Sequence, residues 1–417
     1  MNRNDIINLG YGFAIGNNLD VNETDGKKER NIYWQTGWFN KPIDNSLIIN
    51  IKNRGFKTVK LPISWQDHIE FDLENNKCIC EKWWVEMCKD TIQMVLDNDL
   101  YCIINTQHDA DWLSYYNPYN DNENILKKFE LLWTMIAESF KDFNSDKLIY
   151  EDYNELGDSN GNLFSTFSKV FINAIRNVDG NDDRLLLLDG NWSDPEATYE
   201  LESIDIDDNN YALALHFYKP ADFTINEVVL GRMSYPKKID ESLGYAEVQD
   251  YDYGEKESYI DKYGGEVLVD RFDENIVSNH LNYITKIKSK FNIPVIISEF
   301  GCSTFYRDKD DVYDWFKLIT LFCQENKIPL IMWNNGNDYQ CMKRTDNLND
   351  RLSVDMEKII TYYNNAIFGE DLLNEYKSDY PDIIRDKDYE VDPITLDKHG
   401  LVPKSAIYGM PKENNDK

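Results

Sequence analysis

The feature that most constrains this chain is a rhythm: eight times, a short apolar run gives way to a longer stretch with helical spacing. The runs are YGFAIG (11–16), TVKLPI (58–63), YCIINT (101–106), LIYED (148–152), LLLLD (185–189), YALALHF (211–217), PVIIS (294–298) and PLIMW (329–333). Continuous apolar runs of this length predict strands buried on both faces, as in a parallel sheet. Between them the spacing predicts helices near 44–54, 83–98, 123–143, 162–178, 273–291, 311–326 and 355–366. Eight strand–helix alternations are the arithmetic of an α/β (β/α)8 TIM barrel. An open doubly wound sheet is the rival, but it usually has fewer strands and a glycine-rich phosphate loop. No such loop is found in this sequence.

Two regions break the rhythm. Residues 218–272, between the sixth run and its helix, are polar, and their length predicts a lid, a substrate wall or a small subdomain. Residues 367–417 are charged and proline-punctuated, and read as an extension packed on the barrel or partly disordered. No internal repeat and no linker rich in Gly, Ser or Pro divides the rest, so residues 1–366 are expected to form one catalytic-type barrel. A length of 417 residues suits such a barrel with insertions, and 42% hydrophobic residues are enough for its core.

Charge excludes some partners. The 44 basic and 75 acidic residues leave a formal charge of −31. Nucleic acids and anionic membranes require a positive face, so neither is expected, and polyanionic chains such as pectins should be repelled. The seven cysteines, at 78, 80, 88, 102, 302, 323 and 341, form no regular framework. Cys78-x-Cys80 has the wrong spacing for a zinc knuckle, and with only five histidines in the chain no dedicated metal site is expected. The N-terminal MNRNDIINLGYGFAIG lacks a run long enough for a signal peptide, and no segment is apolar enough to span a bilayer. The chain is therefore expected to be cytoplasmic, or secreted with its leader already removed, and to act as a monomer.

Active sites of such barrels sit at the C-terminal ends of the strands, so the polar residues that end each run are the candidates. The second run carries Lys60, and the third ends in Asn105, Gln107 and His108. The fourth ends in Asn154 and Glu155, and the fifth in Asn191 and Trp192. The sixth yields His216 and Tyr218, the seventh Glu299, and the eighth Trp333 and Asn334. Glu155 and Glu299 stand on strands four and seven, which face each other across a barrel. Either one alone reads as a strand-end solvent carboxylate or a helix cap. An apolar run that delivers a lone Glu299, followed by Phe300 and Gly301, is harder to explain as surface. Together the two carboxylates point to glycoside hydrolysis, in which one protonates the leaving oxygen and the other attacks the anomeric carbon. Aromatics make up 13% of the chain, mostly as packing; those at the barrel mouth are candidate platforms for a sugar ring.

The same residues resemble a known family. FKTVKLPISW, YCIINTQHDADW, LIYEDYNELGD, LALHFYKP, IPVIISEFG and PLIMWNNG are similar to six blocks of glycoside hydrolase family 5, the cellulase-type endoglucanases. They occur in the family's order and at its spacing, from about residue 8 to 366. The resemblance implies a retaining endo-β-1,4-glycanase acting on cellulose, mixed-linkage glucan or xyloglucan, with no cofactor. It implies Glu155 as general acid/base and Glu299 as nucleophile. Asn154 would bind the 2-hydroxyl beside the scissile bond, Tyr218 would hydrogen-bond the nucleophile, and His216 would orient the acid/base. Trp333 would be the platform at the reacting subsite. Trp38, Trp112 and Trp192 are candidates for neighbouring subsites or for core packing.

Four positions depart from the family's pattern. Lys60 stands where the family has an Arg that grips the nucleophile with a planar fork, a geometry Lys lacks. Gln107 replaces a His, Ala14 an Asn, and Leu156 the Pro that follows the acid/base. His108 lies next to Gln107, but along a continuing strand it would point to the opposite side. Both carboxylates remain, so two classes stay open: a working hydrolase with altered support, or an impaired barrel that binds or senses glycan.

Overall fold

The eight apolar runs form eight parallel strands: β1 (Tyr11–Ile15), β2 (Thr58–Leu61), β3 (Tyr101–Thr106), β4 (Leu148–Tyr153), β5 (Leu186–Asp189), β6 (Tyr211–Phe217), β7 (Val295–Phe300) and β8 (Leu330–Asn334). Each pairs with the next in chain order, and β8 returns to β1 with Leu330 opposite Tyr11 and Asn334 opposite Ile15. The sheet is thereby closed into the (β/α)8 barrel that the alternation predicts. The structure is a computed structural model, and it describes residues 1–22, 31–38, 40–109, 123–225, 233–234, 238–239, 246–250, 256–260, 266–270, 274–303, 309–337, 339 and 354–369.

A helix follows every strand: α1 (Asn45–Asn53), α2 (Lys82–Asp97), α3 (Glu123–Phe140), α4 (Asn162–Arg176), α5 (Pro195–Glu200), α6 (Glu274–Phe291), α7 (Lys309–Asn326) and α8 (Val354–Phe368). The helix α5 is absent from the sequence reading because its six residues are too few to show a period. It starts instead on capping chemistry. The Asp194 side chain accepts from the backbone of Glu196 and Ala197, and Pro195 takes the first turn. On α4, Phe164, Phe167, Phe171 and Ile175 recur at helical spacing and are buried. Each contributes roughly 1.5–3 kcal/mol of transfer free energy. Phe171 packs edge-on against Trp133 of α3, with ring centroids 4.5 Å apart.

Two additions decorate the barrel. Between β2 and α2 lies an antiparallel hairpin, Ile69–Asp72 with Lys77–Cys80, that the sequence reading does not contain. Cys78 and Cys80 sit on it as free thiols, and among the described residues no disulfide forms. Between β6 and α6 the 218–272 insertion contributes the antiparallel pair Met233–Ser234 and Lys238–Ile239, and a three-stranded sheet of Ala246–Asp250, Lys256–Ile260 and Glu266–Asp270. The tail from 370 onward lies outside the described residues.

The barrel interior is layered. Ala14, Ile103, Ile149, Leu187, Ala214, Ile296 and Ile331 form an apolar layer, and Met1, Ile6 and Leu9 pack against it from below. Side chains alternate along a strand, so two residues further on each strand points inward again. Those next inward positions on β2 to β7 are Lys60, Asn105, Glu151, Asp189, His216 and Ser298, all buried. Apolar floor and polar ceiling come from one period of two.

Candidate active site

Glu299 reaches this polar layer through an irregularity in β7. Between Ile297 and Glu299 the register against β6 shifts by one residue, so Glu299 lies opposite His216. Such a bulge re-aims a side chain at a strand's end. Glu299 is 6% exposed, and the Tyr218 hydroxyl donates to its Oε1 at 2.6 Å. Burial, followed by the Glu299 charge, pushes the Tyr218 phenol well above its ordinary range, so it stays a donor.

Glu155 is held differently. It follows β4 in a left-handed conformation with φ 56°, and its side chain is 51% exposed. His216 bridges the two carboxylates: Nδ1 lies 2.9 Å from Glu155 Oε1 and Nε2 lies 3.9 Å from Glu299 Oε2. Carboxylate oxygens of Glu155 and Glu299 approach within 4.8 Å of each other. Burial opposes charge on His216, but Glu299 and then Glu155 outweigh it and raise the imidazole above 6.5. Burial likewise opposes the Glu155 charge, and the His216 hydrogen bond and charge overcome it, so this carboxyl lies below its ordinary value. The pair therefore stores its proton on the imidazole.

Lys60 does not take up the bidentate role of the family's Arg. Its Nζ lies 2.9 Å from Glu151 and 3.9 Å from Glu299. Burial works against the ammonium, but Glu151 first, then Glu299, raise its pKa and keep it charged. Asp189 is driven the other way. Burial, then the charges of Glu151 and Asp152, raise its carboxyl well above the ordinary range, which favours a proton between Asp189 and the neighbouring Glu151 carboxylate, whose oxygens lie within 4.8 Å of each other. Glu151 and Asp189 are functional-layer residues that strand-end reasoning missed. Counting inward positions in twos from Ile149 and Leu187 would have found both.

The other sequence candidates fall into place around this centre. Asn154 is half-buried, and its Oδ1 is buried without a hydrogen-bond partner. Trp333 stands on β8 with its indole against Gly16, where an added Cβ would come within 2.4 Å of the ring. Gln107 is buried and accepts from the Asn105 amide at 2.7 Å. Because β3 ends at Thr106, His108 is freed from strand alternation. Its Nε2 lies 3.7 Å from Asp20, and its ring packs edge-on against Trp38 at 5.4 Å. Trp192 is 52% exposed, which rules out core packing for it, whereas half-buried Trp38 packs on the core. Trp112 lies outside the described residues.

Two groups of side chains have metal-ligand spacing among the described residues: Glu151, Asp189 and His216, and Glu155, His216 and Glu299. In the first, the Lys60 ammonium already lies against Glu151, where a cation would have to sit. In the second, Tyr218 and His216 hold the carboxylates.

Comparison with known proteins places this geometry. A family model described as cellulase (glycosyl hydrolase family 5) matches residues 19–339. Endoglucanase A of Clostridium longisporum is 27% identical over 342 residues, covering 79% of this chain, which spans 58% of that protein's length. Endoglucanase A of Ruminococcus albus is 24% identical over 340 residues, covering 78% of this chain and 81% of that protein. A xyloglucan-specific endo-beta-1,4-glucanase of Bacteroides ovatus is 25% identical over 335 residues, covering 75% of this chain and 60% of that protein. Among solved structures, a broad-specificity endoglucanase from Clostridium longisporum superposes with a TM-score of 0.67 at 22% identity, covering 88% of this chain and 99% of that one. With six sequence blocks, a closed barrel and a family match over most of its length, the chain belongs to glycoside hydrolase family 5.

Proposed function

We propose that the protein is a retaining endo-β-1,4-glycanase. The observation that carries this reading is the approach of the Glu155 and Glu299 carboxylates to within 4.8 Å. Retention goes with carboxyl groups about 5–5.5 Å apart and inversion with roughly 6.5–9.5 Å to admit a water molecule, and single oxygens this close favour the former. In the first step Glu299 attacks the anomeric carbon. The glycosidic oxygen takes, through Glu155, the proton that this carboxyl shares with His216, and the leaving chain departs with the pair one proton short. In the second, Glu155 takes a proton from water, the water oxygen attacks the anomeric carbon, and the bond to Glu299 breaks.

The surrounding residues fit those two steps. The Tyr218 hydroxyl orients Glu299, and the unpaired Asn154 Oδ1 is an acceptor for a sugar hydroxyl at the reacting subsite. The Trp333 indole offers a face to the sugar ring. A structural neighbour with TM-score 0.64 was solved with cellotriose, which supports an oligosaccharide substrate. The relatives' names, endoglucanase and xyloglucan-specific endo-beta-1,4-glucanase, favour a glucan chain as the substrate. The formal charge of −31 disfavours anionic chains.

The rival reading, a barrel that binds glycan without cutting it, draws on Lys60, which bonds Glu151 more closely than Glu299. Incubation with barley β-glucan, xyloglucan, glucomannan and carboxymethylcellulose, counting new reducing ends, separates the two. Release on the neutral glucans that vanishes in Glu299→Gln supports the hydrolase, with carboxymethylcellulose expected to be the poorest of the four. Bound but uncut oligosaccharide after long incubation would establish the rival.

A further inference from the structure

The loop after β5 is interleaved with the loop that carries Glu155. The Glu155 backbone N–H donates to Asp189 Oδ2 at 3.2 Å, and the Ser193 hydroxyl holds the same oxygen at 3.0 Å. The Trp192 N–H donates to the Leu156 carbonyl at 3.1 Å. The Asn191 side chain closes a ring on Asp158, accepting from its N–H at 3.1 Å and donating to its carbonyl at 2.9 Å. Gly157 lies so close beneath Trp192 that an added Cβ would come within 2.4 Å of the Trp192 nitrogen. Both loops carry non-glycine residues in the left-handed region: Glu155 at φ 56°, Trp192 at 58° and Ser193 at 52°. Each such residue costs on the order of 1–3 kcal/mol and persists only where its surroundings over-determine it. A proline at 156 would restrict Glu155 to extended backbone, which it does not adopt here.

We propose that Asp189 and Asn191 are positioning residues that clamp Glu155 in its left-handed conformation and so aim the catalytic proton at the leaving-group oxygen. This rests on the hydrolase reading above. Asp189 also joins the clamp to the nucleophile's support. A carboxylate oxygen of Asp189 lies within 4.8 Å of one from Glu151, the partner of Lys60, while Oδ2 accepts from Glu155. An asparagine keeps the oxygen that accepts from Glu155 and offers an amide toward Glu151. An alanine reproduces neither.

The test compares Asp189→Ala, Asp189→Asn and Asn191→Ala on two substrates. Cellotetraose has a poor leaving group that needs the acid, whereas dinitrophenyl β-cellobioside leaves without one. A misplaced acid should lower kcat/KM for cellotetraose on the order of 10–100-fold in the alanine variants; Asn191→Ala should leave the dinitrophenyl substrate within about threefold, and in Asp189→Ala, which also disturbs Glu151, the cellotetraose loss should exceed the dinitrophenyl loss by about tenfold. Asp189→Asn should stay within about threefold of wild type on both. Imidazole nitrogen shifts give a second readout that needs no turnover: the His216–Glu155 hydrogen bond should persist in Asp189→Asn and weaken in the alanine variants. Equal loss on both substrates, or alanine variants that keep full cellotetraose activity and the His216 signal, would overturn the clamp. Should Asp189→Ala fail to fold, Asn191→Ala decides on the same criteria. Wild-type protein that cleaves neither substrate would sink the hydrolase reading, and the nitrogen shifts would still decide the clamp.

Discussion

The two strand ends that carry the carboxylates are built in opposite ways. At β7 the carboxylate is part of the strand itself: Glu299 is 6% exposed, aimed by a bulge and held by Tyr218. At β4 the strand has already stopped, and Glu155 stands half in solvent on a left-handed residue tied to the neighbouring loop. Under the roles proposed above, the buried group needs fixed geometry and charge compensation, because as nucleophile it would attack one carbon in line. Under the same roles the exposed group needs a route to water, because it would serve as acid in one step and base in the next. A nucleophile built into a strand and an acid lent by a loop should fail differently when disturbed.

The largest contrast comes from deleting each carboxylate. Glu299→Ala should lose on the order of 10⁵-fold or more in kcat on every substrate, because no intermediate can form. Glu155→Ala should lose roughly 10²–10⁴-fold in kcat/KM on cellotetraose and far less in kcat/KM on the dinitrophenyl substrate, whose first step needs no acid. Similar losses from both variants on the activated substrate would break the comparison.

Next is the charge beneath the nucleophile. Lys60→Met leaves Glu151 buried without its ion pair and should destabilise the fold by about 3–5 kcal/mol, read from urea unfolding. Adding Glu151→Gln should recover most of that loss while activity stays low. A double variant no more stable than Lys60→Met would show that the pair is not the unit at work.

Removing the hydroxyl from Tyr218 acts only on the β7 side. Tyr218→Phe should weaken transition-state stabilisation by about 1.5–3 kcal/mol, the worth of a hydrogen bond to a charged group. The loss should be of similar size on both substrates.

The smallest expected effect is a pH shift on the β4 side. His216 is raised above 6.5, so the proton it shares with Glu155 is present below that value and is lost as pH rises through the raised one. The alkaline limb of kcat/KM should accordingly lie above 6.5, and His216→Asn should move it toward acid. The stability this ion pair supplies has the same sign, full below pH 6.5 and lost above the raised value. An alkaline limb that stays put in His216→Asn would separate the imidazole from the acid.

Much of this was legible in the chain. Eight apolar runs gave the strand count, and the residues that end them gave Glu155, Glu299, His216, Tyr218 and Trp333. These depend on local patterning, and a strand's direction carries them to the rim with little help. Glu151 and Asp189 were in view but unread, since a charged residue inside an apolar run looks like the end of a strand. The helix α5 and the hairpin that carries Cys78 and Cys80 were too short for periodicity to register.

The sequence by itself thus determined which side chains could meet, because strand period and strand order are local properties summed along the chain. Tertiary structure alone decided how they meet: that Lys60 bonds Glu151 more closely than Glu299, that burial raises the Asp189 carboxyl, and that a neighbouring loop holds Glu155. Each of those outcomes depends on burial and on charges from other strands, and neither quantity exists until the barrel closes.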